Sequence, residues 1–197
     1  QSDDMGEGKK YFEYNPTEAK ALLDQAGAAG ASFKYQYVQG RYGKSFDDIA
    51  AQQINYLQDI GLKIDTEVQD YNSKYITQTF VGNFQGIAFG YETPFPEAGS
   101  YPLRQFSPTD PFNHGRVNDP EMWEWAQAQQ RELDEEKRKE IFWKIQKKNG
   151  VEMYYVPSVA GAGTSWTAFQ GYLKGAMDYR TKGYGQPTEE YPYRWHA

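Results

Sequence analysis

"SFDDIAAQQINYLQDIGLKIDTEV", residues 45–68, changes its period at Gly61. Up to that glycine, Phe46, Ile49, Ala50, Gln53, Leu57 and Ile60 recur at helical spacing, and Ser45 stands where a helix cap is wanted. Beyond it, Leu62, Ile64, Thr66 and Val68 alternate with Lys63, Asp65 and Glu67, which is the pattern of a strand with one covered face. A helix that passes through one glycine into a strand is half of a βαβ unit. The fold then depends on what stands on either side.

Upstream, "NPTEAKALLDQAG" (15–27) predicts a helix. Asn15 can cap it, Pro16 suits its first position, Glu18 completes a capping-box-like pattern and Gly27 stops it. "ASFKYQYV" (31–38) alternates Phe33, Tyr35 and Tyr37 with polar residues and reads as a strand. Downstream, "YNSKYITQTFVGN" (71–83) reads as a short helix, and "FQGIAFGY" (84–91), almost continuously apolar, as a central strand covered on both faces. The alternation is that of a helix-flanked α/β layer. Further on, Asp119 and Pro120 start a helix carrying Met122, Trp125, Ala126 and Gln129, and residues 133–150 form another, with acids in its first turn and lysines in its last. Its "DEEKRKE" run reads as a solvated face. "VEMYYVP" (151–157) reads as a strand, residues 1–14 as a linker or the tail of an upstream segment, and "GYGQPTEEYPYRWHA" (183–197) as loop.

Composition removes several classes of function. Net charge is -6 over 197 residues, with no basic stripe to meet phosphates, so nucleic acid is not an expected partner. With no cysteine there is no disulfide, zinc–thiolate site or thiol nucleophile. No apolar run approaches the ~20 residues of a membrane helix. The opening "QSDDMGEGKK" lacks a signal-peptide core, so any export signal is expected outside this chain. The two histidines, His114 and His196, fit no metal-binding spacing, and "GAGTSW" (161–166) lacks the lysine of a phosphate loop. No nucleophile elbow is present, and neither a cofactor nor a metal is expected.

The aromatic share is high, at 17%. It concentrates in "FGYETPFPEAGSYPLRQF" (89–106), which starts as the third strand and breaks into a loop. Ligands of open α/β sheets bind off the carboxyl ends of the strands, where this loop begins. Tyr91, Phe95 and Tyr101 offer stacking area, and Glu92, Glu97 and Arg104 offer orienting charge, so these six are the candidate ligand-binding residues. Phe89 and Phe106 read as packing. Glu92 and Glu97 also define an enzyme alternative, a glycosidase pair of carboxylates.

Residues 14–27, 49–77, 83–91, 118–157 and 169–175, taken in order, resemble the extracytoplasmic solute-binding proteins of family 5, the dipeptide, oligopeptide and nickel-type receptors of ABC importers. The resemblance runs from about residue 11 to about residue 175. It implies a type II periplasmic-binding-protein-like lobe, α/β with a mixed sheet flanked by helices. On that pattern residues 1–12 are a hinge-side linker, 13–175 the distal ligand-binding lobe and 176–197 a segment returning to a second lobe. It further implies a non-enzymatic, monomeric, extracytoplasmic receptor, periplasmic or lipid-anchored, that delivers its ligand to ABC permease subunits. In peptide-binding members the third strand ends in a tryptophan, and an aspartate shortly after it pairs with the peptide's amino terminus. Tyr91 falls at the tryptophan position. The aspartate has no match, Glu92 and Glu97 being the nearby acids, so peptide and oligosaccharide both remain open as ligands.

Overall fold

The computed structural model describes residues 3–92 and 97–157. Its centre is a three-stranded parallel sheet in the order β2–β1–β3, formed by β1 (Ser32–Tyr37), β2 (Lys63–Val68) and β3 (Ile87–Ala88). Ser32 pairs with Lys63 and Tyr37 with Val68 along one side of β1; on the other side Tyr35 pairs with Ile87. The alternation in β1 sends Tyr35 and Tyr37 into the core, where they meet Phe46 and Ala50 of α2 (Lys44–Asp59), with Ile54, Leu57, Ile64, Ile87 and Phe89 packed around them. Gln36, on the opposite face, is also buried. It accepts the Gln85 amide and donates to Glu67, so its buried side-chain amide is bonded within the protein.

The first helix, α1 (Pro16–Gln25), begins as its residues predict, with Asn15 accepting the Glu18 amide at 3.1 Å. The segment Tyr71–Thr79 winds more widely than an α-helix, as a π-helix, capped by Asp70 on the Ser73 amide. The second half of the described chain is helical. α3 (Ser100–Gln105), α4 (Pro120–Arg131) and α5 (Glu135–Glu152) surround a core of Phe106, Val117, Met122 and Ile145. Asp119 caps α4 and Asp134 caps α5, each accepting two backbone amides. No described helix is long and apolar enough to cross a membrane.

Several local expectations are corrected. The cap of α2 is Gly43, with Ser45 already inside the helix. Among the described strands β3 lies at an edge, spans two residues and is half-buried, so β1 is the central strand. Val68, expected on the covered face of β2, is half exposed at the other edge. Residues 100–105, expected as loop, are helical; Pro102 sits in the first turn, where its missing N–H costs no bond. Residues 151–157 are not a strand. α5 runs to Glu152, Met153 turns into the left-handed region, and the Asn149 side chain bonds both the N–H and the C=O of Tyr155. Residues 3–12, expected as a linker, form a 3₁₀ stretch packed along α5, where a β-carbon on Gly8 would stand 2.7 Å from the Gly150 carbonyl carbon, so glycine is required at residue 8. The expectations for residues 158–197, including "GAGTSW", the 169–175 segment, His196 and the returning tail, lie outside the described residues.

Candidate functional site

Beyond β3 the chain emerges over the end of α2. Phe89 stacks on Phe46 with ring centroids 4.5 Å apart. Tyr91 then meets Tyr42 edge-on at 4.9 Å and Phe46 at 5.0 Å, and remains 52% exposed. Tyr91 is therefore a half-open ring held in place by other rings, as a stacking platform needs. Beneath this stretch the hydroxyl of Tyr75, from the π-helical segment, donates to the Phe89 carbonyl at 3.1 Å.

Glu92 turns toward His114. Its Oε2 lies 2.8 Å from Nε2, and the other ring nitrogen, Nδ1, faces the Phe80 carbonyl. The imidazole is wedged between aromatic rings, Phe80 at 4.4 Å and Phe112 at 5.7 Å. Arg104 covers the same wall, its guanidinium 3.3 Å from the Phe112 centroid and 3.6 Å from Asp110. Thus Glu92 and Arg104 share one aromatic corner, through His114 and Phe112, while the rings against Tyr91 are Tyr42 and Phe46.

Glu97 faces elsewhere. It accepts the Gly99 amide at 2.8 Å and pairs with Arg138 of α5, and these two bonds hold its carboxyl below the usual carboxylate range. Arg138 in turn meets Gln129 of α4, which is fully buried and donates to the carbonyls of Gly99 and Ala126. Tyr101 lies on α3, half-buried. Phe95 lies outside the described residues. A surface groove of about 530 Å³ runs along α5, lined by Glu140, Trp143, Lys144 and Lys147, and takes in none of the five described candidates.

Sequence reasoning placed Glu92 and Glu97 together as two acids of one loop. The structure gives them different partners, an imidazole and a guanidinium, on different elements. His114, Gln129 and Arg138 were not singled out as parts of this site. His114 is 22 residues from Glu92 and Arg138 is 41 from Glu97, so no local spacing points to either contact. Among the described residues no group of three or more potential ligands is gathered around a metal-sized space.

A parallel sheet edged by helices, with an aromatic and acidic rim beyond its last strand, defines a periplasmic-binding-protein lobe of type II. The comparisons agree. The sequence profile of "Bacterial extracellular solute-binding proteins, family 5 Middle" matches residues 2–113, and the chain belongs to that family. The family's extracellular character places the chain outside the cytoplasm. Among solved structures, the periplasmic binding protein DppA of Helicobacter pylori, in complex with the peptide STSA, superposes with a TM-score of 0.62 at 22% identity, over 74% of this chain and 29% of that one. AppA of Clostridium difficile gives 0.63 at 24% identity, over 90% and 36%. NikZ of Campylobacter jejuni, in complex with Ni(L-His), gives 0.69 at 16% identity, over 94% and 40%. The chain thus spans between 29% and 40% of these structures. No curated protein sequence matches it.

Proposed function

We propose that this chain is one lobe of the substrate-binding component of an ABC importer for peptides. The peptide's amino terminus meets Glu92, and its first residues lie against Tyr91. The observation that carries this reading is the placement of a carboxylate beside a half-exposed aromatic ring at the mouth of the sheet. Peptide-bound DppA has the same fold, which supports the same ligand class. Binding between two lobes favours the closed receptor, because only that form lets both lobes touch the ligand, and the closed form is the one a permease recognises. In this reading Glu97 and Arg104 hold the rim in shape through Arg138 and Asp110, while Tyr91 and Glu92 touch the ligand. The enzyme alternative loses its motivation, since the two glutamates are bound to separate partners.

The test is a thermal-shift screen of the full-length receptor. The probes are a tri- to pentapeptide library, its N-acetylated counterpart, cello-oligosaccharides and nickel–histidine. A ligand of the folded form raises the midpoint with occupancy. The expected result is a shift with free-amine peptides that N-acetylation removes. Glu92→Gln should weaken that binding about 10- to 150-fold, the worth of one hydrogen bond to a charged group. A shift with sugars alone would overturn the peptide reading and make Tyr91 a sugar platform.

A further inference from the structure

Between β2 and β3 the chain winds as a π-helix instead of an α-helix. The carbonyls of Asp70, Tyr75 and Gln78 each take an amide five residues on, from Tyr75 at 2.9 Å, Phe80 at 2.8 Å and Asn83 at 2.9 Å. An α-helical bond lays residue i+4 over residue i, so an α-helix would put Thr79 over Tyr75. The wider turn puts Phe80 there instead. Thr79 is released into the interior, where its hydroxyl donates to Gln69 at 2.7 Å, and the Phe80 ring comes to rest 6.4 Å from that of Tyr75. Turns of this kind are rare and concentrate at functional sites.

Three rings of the segment reach the rim by three routes. Tyr71 meets Tyr42 edge-on at 6.2 Å, and Tyr42 is a ring against Tyr91. Tyr75, 3% exposed and stacked beside Tyr71, sends its hydroxyl to the Phe89 carbonyl, close against Gly90. Phe80 lies 4.4 Å from the His114 ring and faces Nδ1 with its carbonyl, while Nε2 of the same ring faces Glu92. Tyr71, Tyr75 and Phe80 thus stand one contact behind Tyr91 and Glu92.

We propose that the π-helical segment is the positioning element of the binding rim, and that Tyr75 is the positioning residue that fixes the Tyr91 ring and the Glu92 carboxylate relative to each other. The inference rests on the reading above that a peptide meets these two residues. Tyr75 stands at the middle of the three routes, since the rings of both Tyr71 and Phe80 lie against it. Its hydroxyl holds the chain at Phe89, two residues before Tyr91 and three before Glu92. Gly90 is the one residue between that anchor and the platform, and glycine is the most permissive backbone unit. Without the hydroxyl, Tyr91 and Glu92 swing about it.

The experiment is titration calorimetry on the full-length receptor, with the tightest-binding free-amine peptide of the library, for the wild type, Tyr75→Phe, Glu92→Gln and the double variant. Tyr75→Phe keeps the ring and removes only the hydroxyl. It is expected to weaken binding about 3- to 10-fold, the worth of one hydrogen bond. In the Glu92→Gln background the same change should weaken binding less than about twofold, because the main contact that Tyr75 places is already lost. Asp119→Ala, on the far helices, lowers stability and should bind as the wild type does. A loss there equal to that of Tyr75→Phe would reduce the tyrosine to a stabilising role and overturn the inference. Wild-type affinity in Tyr75→Phe, or the same loss with and without the Glu92 carboxylate, also overturns it and leaves the peptide receptor standing. Failure of every peptide to bind the wild type removes that reading, and this inference with it. Should Tyr75→Phe not fold, Phe80→Leu, which withdraws the ring from His114, carries the same cycle. A loss coupled to Glu92 supports the positioning role of the segment, and an additive one overturns it.

Discussion

At the scale of single residues, Gly90 is the tightest point of the site. A β-carbon there would stand 1.9 Å from the Tyr75 hydroxyl oxygen and 2.9 Å from the ring carbon that bears it. Glycine at this position lets the strand pass over Tyr75 and lets that hydroxyl reach the Phe89 carbonyl one residue earlier. Gly90→Ala must push Tyr75 aside, and is expected to cost about 1–3 kcal/mol of stability through overpacking and the lost bond. In a Tyr75→Phe background the same substitution should cost about 1 kcal/mol less, because the closest clashing atom has been removed. Urea unfolding of the four proteins in the cycle measures the difference, and additive effects would sink the argument.

The next scale is that of the elements, where Asp119 connects two helices. It caps α4 by accepting the amides of Glu121 and Met122, and its second oxygen takes Lys148 of α5 at 2.8 Å and the Tyr154 hydroxyl at 2.9 Å. Asp119→Ala should therefore cost more than the ~1 kcal/mol of a simple cap, about 2 kcal/mol by denaturant midpoint. Glu121→Ala, which removes only the exposed partner of Lys148, should cost under about 1 kcal/mol. Equal losses in the two variants would contradict this account. Elements of this kind were legible in the sequence because their signals are local. Asn15 with Pro16, and Asp119 with Pro120, start their helices within three residues of the caps. The misread elements are those that tertiary contacts decide. Residues 151–157 read as a strand, but Asn149 satisfies the Tyr155 backbone from within the helix and no ladder is needed. The apolar run ending in β3 suggested a central strand, yet much of its hydrophobicity serves ring packing, with Phe89 on Phe46, instead of coverage on two faces. Tyr91 and Glu92 were candidates because they follow a strand, whereas the side chains that fasten them lie too far along the chain to be inferred from spacing.

At the scale of the whole molecule, carboxylates tie its parts together. Glu67 of β2 is bonded first by Lys74 of the π-helical segment, then by Gln69, and also by Lys34 of β1, and its carboxyl is held at about 2. Bonds from the hydroxyl and amide of Ser73 lower Asp70. Burial raises Asp119, but Lys148, the Met122 amide and Tyr154 outweigh it and hold it low. Glu97 is lowered as described. Each is bound less tightly to its proton in the folded state than in the unfolded one. The stability they contribute is thus complete above their ordinary values, about 4 to 4.5, and is lost as pH falls toward about 2. The thermal midpoint should hold level from neutral pH to about 5 and then drop. Glu67→Gln should flatten part of that drop, and an identical acid profile in the variant would count against this role for Glu67.

The fastening of Glu92 and Glu97 has a consequence for how the chain can vary. Glu92 is tied to His114 and Glu97 to Arg138 of α5, so two acids five positions apart are held by separate elements. A substitution that frees one of them leaves the other moored, and selection can loosen or tighten the two moorings one at a time.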